Sequence, residues 1–158
     1  MTAPGEVRHG AVRFTECILP ATPAQVADLE AQLGFRLPDG LRRVFLTFNG
    51  GRPEPSALRP PPDADLRPYG PWDNDVSECL ELRDGRGGAL WWYQLLVQKQ
   101  RLVPPSFFPF AHTSGGDMFF VDCASPDGQV HVHLHDTAYE HLHALGLSID
   151  AFWDHLTE

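Results

Sequence analysis

The stretch from Phe107 to Asp136 limits the possible folds of this chain more than any other. It reads Phe-Phe-Pro-Phe-Ala-His-Thr-Ser-Gly-Gly-Asp-Met-Phe-Phe-Val-Asp-Cys, a turn, then Gln-Val-His-Val-His-Leu-His-Asp. Met118 to Cys123 is apolar and β-prone, and Val130 to His135 alternates strictly with period two, the pattern of a half-buried strand. Between them Ser125-Pro126-Asp127-Gly128 is turn chemistry, in which Pro presets φ and Gly accepts a positive one. Ahead of the pair, Gly115-Gly116 lets the chain reverse out of Phe107–Ala111. Three successive strands are predicted, forming the middle of an antiparallel sheet that the remaining helices and loops cover.

Those remaining segments carry their own punctuation. Val7 to Phe14 alternates weakly, as an edge strand would. Thr22 followed by Pro23 and Gln25 predicts an N-cap, a proline at the first helical position and a capping box. Val26, Leu29 and Leu33 line the apolar face of that helix, and Gly34 stops it. Leu37-Pro38-Asp39 opens a second helix with Leu41, Val44, Phe45 and Phe48 on its buried side, predicted to end at Asn49-Gly50-Gly51. Burying an aromatic such as Phe45 contributes about 1.5–3 kcal/mol, so these helices hold through packing. Seven prolines between Pro53 and Pro71 predict a surface loop over 52–72. Val76 to Leu82 suits either a short strand or a helix start. Ala89 to Arg101 reads as a helix, and Ser148 caps another over Ile149–Leu156. The predicted fold is α+β in one domain over 1–158: a central antiparallel sheet flanked by an N-terminal helix pair, a middle helix and a C-terminal helix.

Charge and cysteine usage narrow the function. The net charge is −9, and from Leu102 onward there are eight acids, no Lys or Arg, and seven of the eight histidines. Such a surface disfavours nucleic acid and anionic membrane as direct ligands and favours a basic protein partner. Cys17, Cys79 and Cys123 are odd in number and lack any Cys-x-x-Cys, which argues against a disulfide framework and suits a reducing cytosol. Met1 to Val7 has neither a basic nor an apolar signal region, so a cytoplasmic protein is expected. One Lys among many Ala, Pro, Gly and Arg residues suggests a high-GC bacterial genome.

His131, His133 and His135 share one face of the third strand, and imidazoles are common zinc ligands. Same-face neighbours lie about 7 Å apart, however, so three in a row overreach a single ion. Two of them with Asp122 or Asp136 would be easier, which leaves a metal-dependent enzyme as the competing reading to a partner-facing strand. Gly50-Gly51 and Gly115-Gly116 are not followed by a phosphate-binding pattern. No Gly-x-Ser-x-Gly elbow occurs, and Cys123 on a strand reads as packing. No cofactor is expected. Gly115, Gly116 and Asp117 are assigned to a turn, with the Asp117 carboxylate accepting backbone N–H bonds.

Two separated blocks resemble a known family. The first is the helix from Thr22 followed by Leu-Gly-Phe-Arg-Leu-Pro-Asp-Gly-Leu-Arg-Arg-Val-Phe-Leu-Thr-Phe-Asn-Gly-Gly, which carries Leu37, Pro38, Asn49, Gly50 and Gly51. The second is Phe108-Pro-Phe-Ala-His-Thr-Ser-Gly-Gly-Asp-Met-Phe with Asp122, Gly128-Gln-Val and the segment from Ser148 to Leu156. Together they span about two-thirds of the chain and resemble the SUKH superfamily, the Smi/Knr cell-wall-assembly-regulator type that also supplies bacterial toxin-immunity proteins. The resemblance implies an antiparallel α+β fold and stoichiometric neutralisation of a cognate protein toxin, which the acidity of this chain predicts to be basic, or the regulatory scaffolding of the fungal members. It also implies aromatic residues where this chain has His131 and His133. Candidate contact residues are Trp72, Asp73, Asp75 and Glu78 beside the variable loop, and the face of His131, His133 and His135.

Overall fold

A computed structural model of the chain describes residues 5–59, 75–135 and 141–158. Trp72, Asp73, Asp136 and the proline-dense part of the predicted loop, from residue 60 on, lie outside the described residues.

The first strands form a hairpin, not one edge strand: β1 (Val7–His9) turns at Gly10 and pairs antiparallel with β2 (Val12–Cys17). Helix α1 (Pro23–Leu33) begins with the expected capping box, Thr22 Oγ1 accepting from Gln25 N and Gln25 Oε1 accepting from Thr22 N. It stops at Gly34, whose φ of 81° is left-handed, with its N–H on the Glu30 carbonyl. Glu30 also accepts the Leu37 N–H at 2.7 Å, which fixes the bend into α2 (Asp39–Thr47). Leu37, Leu41, Val44, Phe45 and Phe48 are all buried, as the spacing predicts.

Asn49-Gly50-Gly51 does not end α2 as predicted. The helix stops at Phe48, and Gly50 already belongs to β3 (Gly50–Glu54), which consumes the start of the predicted loop and is followed by β4 (Ala57–Leu58). Asn49 is buried and reaches across to the next strand segment. Its Oδ1 accepts the Leu82 N–H at 2.7 Å, and its Nδ2 donates to the carbonyls of Leu82 at 3.0 Å and Leu19 at 3.2 Å. The two glycines make room for crossing side chains. A Cβ on Gly50 would fall 2.5 Å from Glu81 Cγ, and one on Gly51 would fall 2.6 Å from Cys17 Sγ.

Val76 to Leu82 resolves as a strand, β5 (Glu78–Cys79), and the middle helix is shorter than expected. Its α-helical part, α3 (Ala89–Tyr93), runs into a π-helical turn over Gln94–Lys99, marked by Gln100 N–H bonding to Leu95 O. The three predicted strands are present as β6 (Phe107–His112), β7 (Met118–Asp122) and β8 (Gln129–Leu134), successive and antiparallel. Beyond them lies β9 (His141–Ser148), a strand the sequence reading did not anticipate. Ser148 caps as expected, accepting from Ala151 N, but α4 (Ile149–Phe152) passes into a 3-10 turn over Trp153–His155. The chain then forms β10 (Leu156–Thr157), paired with β4.

The main sheet has eight strands in the order β1-β2-β3-β5-β6-β7-β8-β9, all neighbours antiparallel. The helices cover one face. Phe45 of α2 and Tyr93 of α3 pack on Phe108, while Phe152 of α4 packs on Phe110 and Phe119. Phe14 and Phe48 stack at 3.8 Å with Trp153 edge-on to both, tying the hairpin and α2 to the final turn. Gly40 is needed where α4 meets α2, since a Cβ there would strike the Ile149 side chain at 2.6 Å.

These contacts rank two substitutions. Asn49→Ala strands the buried Leu82 N–H and is expected to cost about 2 kcal/mol. Thr22→Ala removes a solvent-side cap and is expected to cost about 1 kcal/mol. Urea unfolding midpoints of the two variants, at equal slope, check the order.

Candidate partner-binding face

Alternation along β8 sends Val130, Val132 and Leu134 into the core and leaves Gln129, His131 and His133 half-buried on the opposite face. Cross-strand pairing extends that face sideways. Glu78 pairs with His112, His112 with Met118, Met118 with His133, and His133 with Leu142. Directly paired residues share a face, so these five form one row over β5 to β9, with strands roughly 4.8 Å apart. A second row runs Pro109, Phe120, His131 and Ala144. Two candidate patches that the sequence presents as separate, one at Glu78 and one at the histidines, therefore lie on a single surface. Within it the Glu78 carboxylate lies 3.8 Å from His112 Nε2, and the Phe107 ring stands edge-on to His131 at 4.8 Å. Met118 and Phe120 are buried between the polar members.

Other candidates also make bonds within the fold. Asp75 Oδ1 accepts the Ser114 N–H at 2.9 Å and so ties the start of the β5 segment to the β6–β7 turn. Asp117 accepts a backbone N–H as predicted, but the donor is His135 N at 3.0 Å, across the sheet and outside its own turn. The same oxygen lies 2.6 Å from His135 Nδ1, and the His135 ring sits over Gly116, where a Cβ would come 3.2 Å from Cε1. Gly116 adopts φ 95°, and the turn closes through Thr113 N–H to Asp117 O and Asp117 N–H to Thr113 Oγ1. His135 thus holds a turn and is set apart from His131 and His133 by this bond.

Among the described residues no three His, Cys, Asp or Glu side chains gather closely enough to hold a metal ion. Asp122 Oδ1 is engaged by Ser106 Oγ at 3.1 Å and Ala124 N at 2.9 Å. Burial pushes the Cys123 thiol up to about 12 and that of Cys79 higher still, so both stay protonated at neutral pH. An open cleft of about 520 Å³ lies away from this face, between the first hairpin and the β4–β10 pair. It is lined by Arg8, Arg13, Glu54, Ser56 and Glu158 among others, and Arg13 is already paired with Glu54 and Glu6.

His112 and Met118 belong to the face although sequence reasoning did not select them. His112 stands beside the Thr-Ser-Gly-Gly turn, and only the pairing of β5 with β6 reveals its place beside Glu78.

An antiparallel α+β protein with helices on one side of the sheet and histidines on the opposite side is the class these features define. The chain belongs to the SMI1 / KNR4 family (SUKH-1), whose family model matches residues 20–155. Membership fits a toxin-immunity or related non-catalytic role. A comparison with curated proteins gave no match.

Burial, acting against the Gln129 carbonyl and the Asp122 charge, lowers the pKa of His131 below its ordinary value of 6.5. In the unfolded chain His131 takes its proton first as pH falls. The stability contributed by its neutral, packed form is therefore complete above pH 6.5 and is lost as pH falls toward the folded-state value. Histidine proton NMR should show His131 titrating below an exposed histidine, and His131→Gln should flatten the fall in unfolding midpoint between about pH 7 and 5.

Proposed function

We propose that this chain is a cytoplasmic bacterial immunity protein that neutralises a cognate, basic protein toxin by stoichiometric, non-catalytic binding. The single observation that carries the choice of surface is the row Glu78–His112–Met118–His133, in a half-sheet whose strands β5 to β9 contain no Lys or Arg. The three arginines of the sheet, Arg8, Arg13 and Arg52, all belong to β1 to β3. A basic partner is therefore drawn to the β5–β9 side. Family membership supports the role, and among the described residues no helix is long and apolar enough to cross a membrane. Trp72, Asp73, Asp75 and His135 are retained as contact residues together with this row, and nucleic acid and membrane are not partners in this reading.

Long-range attraction of this kind acts mainly on the encounter rate, while buried anchors set dissociation. The test is the toxin domain encoded beside this chain's reading frame. Co-expression should restore growth, and the two purified proteins should form a one-to-one complex. Association should slow as salt rises, because exposed charges are screened over roughly 8 Å at physiological ionic strength. It should also slow in Glu78→Lys, with dissociation changing less. Acidification from about pH 7.5 to 5.5 should slow it again as exposed histidines gain charge, with His131 contributing least. Absence of a complex would overturn the immunity role, and a rate indifferent to salt and to Glu78→Lys would remove this face from recognition.

A further inference from the structure

Among the described residues three large apolar side chains are exposed, Ile18, Leu19 and Leu102, and they fall at two sites of opposite charge. Leu19 is 87% exposed, and its carbonyl shares one donor, Asn49 Nδ2, with the carbonyl of Leu82. Leu82 in turn lines a cleft of about 170 Å³ between α1 and the segment leading into α3. Asp28 and Leu29 of α1 form one wall, and Leu82, Arg83, Asp84 and Leu90 form the other. Arg83 is engaged within its own loop, by Glu81 Oε2 at 3.2 Å and by the carbonyls of Asp84 and Arg86. Among the described residues neither Asp28 nor Asp84 has an ion-pair partner. The cleft therefore presents two uncompensated carboxylates over buried leucine. The second site lies past the far end of α3 and its π-helical turn. There Leu102, 43% exposed, follows Arg101, which is exposed with a left-handed φ of 54°. Arg101 and nearby Lys99 are likewise without an ion-pair partner among the described residues.

We propose that a second copy of this chain occupies the cleft, with its Arg101 set between Asp28 and Asp84 and its Leu102 covering Leu19. Each site supplies what the other lacks, a cation for the carboxylates and an apolar surface for an apolar surface. Two copies, each of net charge −9, repel unless a cation meets an acid locally, so an apolar contact alone does not suffice. The guanidinium fork suits a pair of carboxylates better than a point charge does. The contact joins unlike patches, and such a contact closes only if it is exchanged. Leu90 and Arg101 stand at opposite ends of one helical rod, roughly 15 Å apart. Two copies laid antiparallel along that rod exchange both contacts and form a two-fold dimer. Because Tyr93 of α3 packs on Phe108 from the helix side, the outer face of β5 to β9 stays open on both copies. This inference is independent of the immunity reading.

Sedimentation equilibrium of this protein over a range of concentrations tests the assignment and should show a monomer–dimer equilibrium. Arg101→Asp should weaken it at least about tenfold, and so should the double variant Asp28→Arg/Asp84→Arg. Leu19→Ser should weaken it about fivefold by removing the apolar half of the contact. All four positions are exposed, and Asp tolerates a left-handed backbone, so circular dichroism should match wild type in each variant. Mixed one to one, the Arg101→Asp and Asp28→Arg/Asp84→Arg proteins should associate again, because each cleft then meets a side chain of opposite charge. A protein that stays monomeric to about 1 mM overturns the proposal. So does a dimer that Arg101→Asp leaves at full strength, which would place the interface elsewhere, and so does a mixture of the two folded variants that fails to associate.

Discussion

The side-chain amide of Asn49, set against both backbone groups of Leu82, completes a join on which the whole sheet depends. β3 and β5 are paired at Gly51 and Cys79, a short contact between a three-stranded arginine-bearing half and a five-stranded half whose strands hold no Lys or Arg. Asn49 extends the join by imitating the donor and acceptor of one more strand residue, and its third bond holds the Leu19 carbonyl. The glycines that follow it let Glu81 and Cys17 cross the seam at distances no side chain would permit. A buried amide with its donors and acceptor engaged costs little to keep and much to lose, because each partner it abandons stays dehydrated.

The join also explains why polar residues from distant parts of the chain come to share a face. With β5 fixed against β3, β6 follows on its other side, and the β6–β7–β8–β9 meander propagates the register outward. Glu78, His112 and His133 then have no freedom to occupy different sides, since each pairing preserves the face. The opposite side is filled by Phe108, Phe110 and Phe119 against three helices. The histidines lie on the side that these helices do not cover.

Local chemistry made part of this legible from the sequence. The Thr22 capping box, the Gly34 stop and the β6–β8 strands depend on neighbours in the chain, and each stands where its residues predict. Three features escaped because their cause lies far away in sequence. Asn49-Gly50-Gly51 has the composition of a helix terminator, and only Leu82, Glu81 and Cys17 show why it opens a strand. β9 was hidden by Gly146, whose bulge breaks the alternation of His-Leu-His-Ala-Leu-Gly-Leu-Ser. The last helix is cut short because Leu156 finds a better partner in Leu58 than in another helical turn. The candidate face divided the same way. Its histidine stripe could be read from period two, but its union with Glu78 required the order of the strands, as did the bonds by which Asp75 and His135 hold the β6–β7 turn.

The pairing of β4 with β10 bears on how the molecule is made. Ala57 and Leu58 are synthesised early, yet the strand they pair with consists of Leu156 and Thr157. On the ribosome Ala57 meets its bridge partner Asp75 early, but the pairing of β4 with β10 waits until nearly all of the described chain has left the exit tunnel. The Phe14–Phe48–Trp153 cluster waits for the same stretch. Closure of such distant contacts is entropically late, so the N-terminal hairpin and α1–α2 are held in an unfinished state while the sheet is laid down beside them. The described core is thus closed by the stretch from Trp153 to Thr157, and a nascent chain halted before it would carry the aromatic floor of the core open to whatever chaperone stands at the tunnel mouth.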